Sequence, residues 1–250
     1  MLQPLTKAVL SNVKLIATDL DGTLTKNGKF TSQLLIALES LTAKNIPVLI
    51  VTGRSAGWVS AIAHYLPVVG AIAENGGLFY HHRLSAELIT KLDNIERHRS
   101  QLKEVFQLLQ SKFPEITESV DNSFRVTDWT FEIGDLTSQQ LTTMRDLCDD
   151  AGYGFTYSTV QCHIKPKQQD KAVALQQVLQ KHFPHLIPQQ IVTVGDSPND
   201  ESLFNPDYFP LSVGVANITH YSDRLKDKPS YITSLPEAEG FCQLVQFLTK

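Results

Sequence analysis

Asp19 and Asp21 stand two residues apart in Asp19-Leu20-Asp21-Gly22-Thr23-Leu24, directly after the apolar run 13–18. In extended backbone, residues two apart point the same way, so both carboxylates can face one site. Gly22 lets the chain turn sharply behind them. Such a pair suits metal binding, or a nucleophile with its acid–base partner; a capped strand–helix turn is the plainer alternative. A second acidic cluster, Gly195-Asp196-Ser197-Pro198-Asn199-Asp200, follows the apolar run 191–194. Clustered carboxylates repel and call for a cation between them. Hard oxygen ligands in small number favour magnesium, which keeps waters and shares a substrate phosphate. Thr52 supplies a hydroxyl at the end of run 46–51, and the backbone amides of Gly53 and Arg54 open a helix that can receive a phosphate. Lys171 falls in the first turn of a helical pattern, where the dipole disfavours a cation unless an anion lies nearby; Asp170 beside it can be that anion.

These positions share one context. The runs 13–18, 46–51, 68–73, 191–194 and 211–216 are continuous, rich in Val and Ile, and stop at polar or glycine residues, the last at Asn217. That is the pattern of parallel strands covered on both faces. Helical stripes separate them: Leu34, Leu38 and Leu41 after a cap at Thr31 or Ser32, then Val59, Ile62 and Ala63, then Leu175, Val178 and Leu179, then Phe241, Leu244, Val245 and Leu248. Strand–helix alternation predicts an α/β fold with a doubly wound parallel sheet, whose ligands bind at the carboxyl ends of the strands.

The stretch 82–167 breaks this rhythm. Leu88, Leu92, Ile95, Leu102, Val105 and Leu109 mark a long helix; Phe124 to Ile133 alternates like a strand with a slip near Thr127-Asp128; Leu141, Met144 and Cys148 mark a second helix; 155–165 reads as a strand or hairpin. We expect an inserted α+β domain over 82–167, a small sheet with helices on one face, splitting the core into 1–81 and 168–250.

A chain of 250 residues, 42% hydrophobic, can bury a sizeable core. A net charge of −4 argues against a nucleic-acid partner. The apolar runs are too short to span a bilayer, and the N-terminal residues lack a signal-peptide pattern, so a cytoplasmic protein with no membrane partner is expected. Cys148, Cys162 and Cys242 lack metal-ligand spacing and are expected as reduced thiols.

Taken in order, Asp-x-Asp-Gly-Thr, a strand-end Thr-Gly-Arg, a helix-start Lys and Gly-Asp-Ser-x-Asn-Asp resemble the four motifs of the haloacid dehalogenase superfamily. The position of the insertion is similar to that of the Cof-like sugar-phosphatase branch, where it forms a cap. The resemblance implies a magnesium-dependent phosphatase acting on a small phosphorylated metabolite, a sugar phosphate or phosphorylated glycoside, through an aspartyl-phosphate. It implies Asp19 as nucleophile and Asp21 as acid and base. The Asp19 and Asp196 carboxylates and the Asp21 carbonyl would hold magnesium, with Asp200 at or just outside that shell and Gly22 in the turn. Thr52, Gly53 and Lys171 would bind phosphate, with Asn199 orienting Lys171 or the acidic loop. Arg54, Glu74, Asn75, Arg125, His163 and Lys165 are candidate substrate contacts. Glu74-Asn75-Gly76-Gly77 also reads as a tight turn, His81-His82-Arg83 as a solvated linker, and Trp58 and Trp129 as packing residues. A phosphomannomutase-like phosphomutase and a non-catalytic phosphoacceptor or metabolite-binding module are the competing readings. Oligomeric state is not legible.

Overall fold

The computed structural model describes residues 2–81 and 86–250. In chain order its elements are β1 (Gln3–Pro4), β2 (Leu15–Thr18), α1 (Ser32–Ala43), β3 (Val48–Val51), α2 (Ala56–Tyr65), β4 (Gly70–Ala73), β5 (Leu78–His81) and β6 (Glu87–Leu88). There follow α3 (Ile95–Lys112), β7 (Trp129–Glu132), α4 (Ser138–Asp150), β8 (Tyr153–Tyr157) and β9 (Gln161–Pro166). The chain closes with α5 (Lys171–His182), β10 (Ile191–Gly195), β11 (Ser212–Gly214), β12 (Tyr231–Ile232) and α6 (Glu237–Thr249).

The five apolar runs become neighbours in one nine-stranded sheet of order β1-β12-β11-β10-β2-β3-β4-β5-β6. Pairing is parallel from β1 through β4; β5 runs antiparallel to β4, and β6 antiparallel to β5, so the sheet is mixed. Residues two apart on a strand share a face. Ile16, Val48, Ile50, Val192 and Val194 pack with α1, α2 and α6, while Leu15, Ala17, Leu49, Val51 and Ile191 pack with α5. Both faces are covered, which is why these strands carry no polar alternation. Thr31 caps α1, its hydroxyl accepting from the Leu34 amide at 3.2 Å. β2 lies between β10 and β3, so the carboxyl ends of these three strands bring Asp19, Asp196 and Thr52 together.

The second sheet has three strands in the antiparallel order β7-β9-β8. Trp129, Phe131, Phe155, Tyr157, Cys162 and Ile164 turn one face of it onto Leu102, Phe106 and Leu109 of α3 and Leu141, Met144 and Cys148 of α4. Its other face carries Thr130, Gln161, His163 and Lys165. The expected hairpin over 155–165 is β8–β9. The slip at Thr127-Asp128 is the end of an irregular segment that follows a 3₁₀ turn, Val120–Phe124, and precedes β7.

The long helix differs from its expected start. α3 begins at Ile95, with Asn94 accepting from the Arg97 amide at 2.8 Å, whereas Leu88 pairs with Leu78 in the edge of the large sheet. Leu88 and Leu92 fall four apart without sharing a helix. The expected boundary at His82, and the His82-Arg83 part of the linker reading, lie outside the described residues, while His81 is no linker but the last residue of β5, paired with Gly70; Ile89 still packs against the core cluster of the large sheet. Among the described residues no helix is long and apolar enough to cross a membrane.

Candidate active site

Asp19 is the first residue beyond β2, and its amide donates to the Val194 carbonyl of β10 at 2.9 Å, which fixes the backbone of the turn. Its carboxylate is buried, 4% exposed, and accepts from Lys171 Nζ at 2.6 Å. The same ammonium donates to Asp200 Oδ1 at 2.6 Å. Lys171 opens α5, capped by Asp170 through the Ala172 and Val173 amides. The helix dipole opposes a cation there, and the two buried carboxylates offset it; together they raise the Lys171 pKa against its burial.

Asp196 follows β10 and is fully buried, its Oδ2 accepting from Asn217 Nδ2 at 2.8 Å. Asn217 also donates to the Gly22 carbonyl at 3.1 Å, so one amide ties the two acidic loops. Gly22 has φ +78°, and a Cβ there would lie 2.3 Å from Asp196 Oδ2, so only glycine fits both the turn and the approach. Asp200 Oδ2 accepts from the amides of Asp196 and Ser197 at 2.9 and 3.2 Å, making Asp200 the brace of its own loop.

Asp19, Asp196 and Asp200 each bring a carboxylate oxygen within 4.8 Å of the others. Burial, Asp200 and Asp21 push Asp19 up to about 7 against the pull of Lys171. Burial, then the charges of Asp19 and Asp200, raise Asp196 well above the usual carboxylate range. One ammonium cannot serve three buried carboxylates. The donor set is all hard oxygen, and Asp196 Oδ1 has only a 3.5 Å contact from Thr23 Oγ1, so these residues fit a small divalent cation.

Thr52, Gly53, Arg54 and Asn199 line the same opening as Asp19 and Asp21. Thr52 follows β3, and its hydroxyl accepts from the Arg54 amide at 3.1 Å. Arg54 forks onto Asp21, Nε to Oδ2 and Nη2 to Oδ1, both at 2.7 Å. The guanidinium lies 4.6 Å over the ring of Trp58. Trp58, expected as a packing residue, is 49% exposed and steadies Arg54 instead. Asn199 does not reach Lys171. It accepts from Ser197 Oγ at 2.8 Å and donates to Asn75 Oδ1 at 3.1 Å, while buried Asn75 Nδ2 has no partner among the described residues.

The remaining expected contacts divide. Glu74 and Asn75 hold φ of +54° and +53°, left-handed backbone uncommon outside glycine. The Glu74 carboxylate, wholly buried, accepts from the amides of Ala56, Val126 and Thr127 and from Thr127 Oγ1, so it joins the start of α2 to the segment before β7 and is committed to these bonds. Burial and the charge of Asp128 push it up to about 7. Arg125 is equally committed. Its guanidinium pairs with Asp121 and Asp128 and donates to Gln161 Oε1 at 2.9 Å and to the Gly53 carbonyl at 3.0 Å. Lys165 Nζ donates to the Gln169 carbonyl, and burial lowers its pKa. It borders a second cavity, about 490 Å³, with Asn75, Lys171 and Asn199. His163 alone of the cap candidates lines the opening over Asp19.

That opening is closed down to about 10 Å³, bordered by Asp19, Asp21, Thr52, Gly53, Arg54 and Asn199 beside the large sheet and by Ser158, Val160, Gln161 and His163 of the β8–β9 hairpin. It holds one water at most. Ser158, Gln161 and Asp121 escaped the sequence reading, and Asn217 was marked there only as the polar residue ending an apolar run.

Residues 12–248 match the family model described as sucrose-6F-phosphate phosphohydrolase. A phosphoglycolate phosphatase of Methanothrix thermoacetophila is 26% identical over 242 residues, 94% of this chain and 97% of the relative. One from Thermoplasma volcanium is 27% identical over 91% of this chain and 94% of its own length. Among solved structures, a Thermoplasma acidophilum protein superposes with TM-score 0.77 at 21% identity, covering 95% of this chain and 99% of that one. A haloacid dehalogenase subclass IIB sugar phosphatase gives 0.70 at 16% identity, over 94% and 99%. The four motifs, the core that carries them and the match across nearly the whole chain agree: the chain belongs to the sucrose-6F-phosphate phosphohydrolase family, phosphoric monoester hydrolases of the haloacid dehalogenase superfamily and its Cof-like branch.

Proposed function

We propose that this chain is a magnesium-dependent phosphatase that hydrolyses a small sugar phosphate or phosphorylated glycoside through an aspartyl-phosphate on Asp19. The observation that carries this reading is the placement of Asp19: buried, 2.6 Å from Lys171, among two further carboxylates, and on the same small cavity as Asp21 and Thr52. The family's description names a sugar phosphate, while the curated relatives are named for phosphoglycolate. Three unpaired cysteines support a reducing, cytoplasmic setting.

In the first half-reaction an Asp19 oxygen attacks phosphorus, the ester P–O bond breaks, and Asp21 gives its proton to the leaving oxygen. In the second, Asp21 takes a proton from water, the water oxygen attacks phosphorus, and the bond to Asp19 breaks to release phosphate. Thr52, the Gly53 amide and Lys171 hold the phosphoryl oxygens, since this chemistry is catalysed chiefly by positioning and charge neutralisation. The Asp19 and Asp196 carboxylates with the Asp21 carbonyl would hold magnesium, whose charge keeps Asp19 ionised and offsets the charge of the phosphoryl group. Asp200 serves this arrangement as brace and as partner of Lys171.

The test is phosphate release from a panel of sugar phosphates with magnesium present, repeated with Asp19→Asn and Asp21→Asn. Turnover is expected from the wild type, none from Asp19→Asn, and a burst of phosphoenzyme with slow breakdown from Asp21→Asn. Isomer conversion without phosphate release would replace hydrolysis by the mutase reading, and a phosphoenzyme that never turns over would leave a phosphoacceptor.

A further inference from the structure

The centre strand of the cap sheet, β9, puts alternate side chains on opposite faces. Cys162 and Ile164 enter the apolar cluster of the cap, and His163 between them turns toward the catalytic cavity. The ring is 1% exposed, and its Nδ1 lies 2.9 Å from Asp128 Oδ2. Despite burial, the Arg125 charge and the bond from His163 hold Asp128 below the usual carboxylate range, so Nδ1 carries the proton and donates. Burial holds the ring neutral more than Asp128 charges it, with Arg125 and Lys171 adding to that effect. The other nitrogen, Nε2, is therefore an acceptor, and among the described residues it makes no hydrogen bond. It borders the cavity where Asp19, Asp21 and Thr52 meet the cap, 3.1 Å from where a Gly53 Cβ would stand.

The charges around this end of the cavity are already spoken for. Arg54 forks onto Asp21, and Arg125 onto Asp121 and Asp128. Lys171 lies between Asp19 and Asp200, at the phosphate end. Ser158 Oγ accepts from the amides of Val160 and Gln161 at 3.1 and 3.2 Å, which leaves its proton free to donate. A leaving group entering here meets an acceptor nitrogen, a hydroxyl and the Val160 side chain. A carboxylate would face the Nε2 lone pair and the Asp21 carboxylate with no free cation among the described residues; a hydroxyl finds its acceptor.

We propose that His163, oriented by Asp128, determines specificity at the leaving-group end by accepting a hydrogen bond from a hydroxyl of an uncharged, polyhydroxylated leaving group and disfavouring a carboxylate there. The inference rests on the phosphatase reading above. It separates this chain from its curated relatives, whose named substrate carries a carboxylate.

The experiment compares kcat/KM for glycerol 1-phosphate, propyl phosphate and 2-phosphoglycolate, with para-nitrophenyl phosphate as reference. In the wild type, glycerol 1-phosphate is expected to exceed the other two alkyl esters by about tenfold or more, as an unpaired buried acceptor penalises the analogue that cannot fill it. His163→Asn keeps an amide donor for Asp128 and withdraws the outer nitrogen. It is expected to lower glycerol 1-phosphate by about 10- to 100-fold while propyl phosphate and the reference change less than about threefold. His163→Gln carries an acceptor oxygen outward and regains most of the loss. Equal or better use of 2-phosphoglycolate by the wild type overturns the proposal without any variant. So does a His163→Asn protein in which all four esters fall together. Absence of phosphate release from every ester, para-nitrophenyl phosphate included, removes the phosphatase reading itself and the proposal with it.

Discussion

Arg54 grips Asp21 by both carboxylate oxygens, at 2.7 Å each, and rests its own guanidinium on Trp58. The carboxyl proposed to hand a proton to a leaving oxygen is thus held in one orientation. A bidentate fork is what arginine supplies and lysine does not. Arg54→Lys is expected to lower kcat by about tenfold with an alkyl phosphate, which needs the acid, and to spare para-nitrophenyl phosphate, whose leaving group does not. Equal losses on both esters would make Arg54 a phosphate ligand rather than a positioner of Asp21.

Asp196 is destabilised where it stands, buried against Asp19 and Asp200 with Lys171 committed to those two. Asp196→Asn keeps the bond from Asn217 and removes one charge. Metal-free stability is expected to rise by about 1–2 kcal/mol, a trade of stability for function. Magnesium should raise the thermal midpoint of the wild type and not of the variant. Calcium, with longer bonds and more ligands, should support little turnover. A variant that melts lower without metal would show that repulsion is not what strains the triad.

Removing Arg125 leaves Asp121 and Asp128 buried without their cation and frees the Gly53 carbonyl. Arg125→Met is expected to destabilise by about 3–5 kcal/mol, the range for breaking one side of a buried pair. Adding Asp128→Asn should recover part of the loss, because the two effects share one network. Urea denaturation of the single and double variants measures both.

The His163 ring is buried neutral, below its ordinary value of 6.5, facing Asp128, Arg125 and Lys171. Its contribution to stability is complete above that ordinary value and is lost as pH falls through the depressed folded value. Between pH 8 and 5 the wild type should therefore lose more of its urea midpoint than His163→Gln. Parallel curves would mean the ring is not held neutral.

The acidic motifs were legible because each is a short segment closing an apolar run, and strand ends of a parallel sheet converge. Asp19, Thr52 and Asp196 needed only that rule, and Lys171 needed a helix start and an anion. What was illegible depends on partners far off in sequence. Glu74 and Arg125 look like substrate ligands as isolated charges; only the fold shows Glu74 bonded to Thr127 and Arg125 to Gly53. Leu88 fits a helical period and pairs as a strand, because a four-residue spacing also occurs by chance. Trp58 reads as core by type, and only its exposure beside Arg54 corrects that.

The alternation along β9 has an evolutionary consequence. Cys162 and Ile164 anchor the strand in the cap interior, while His163 meets the cavity from the opposite face. A mutation at 163 changes what a substrate touches and leaves the packing that holds the strand intact. New selectivity can therefore arise by single steps on one face of a strand, without passing through an unfolded cap. A family of this build can diversify its substrates while the acidic loops at the ends of the large sheet's strands stay fixed.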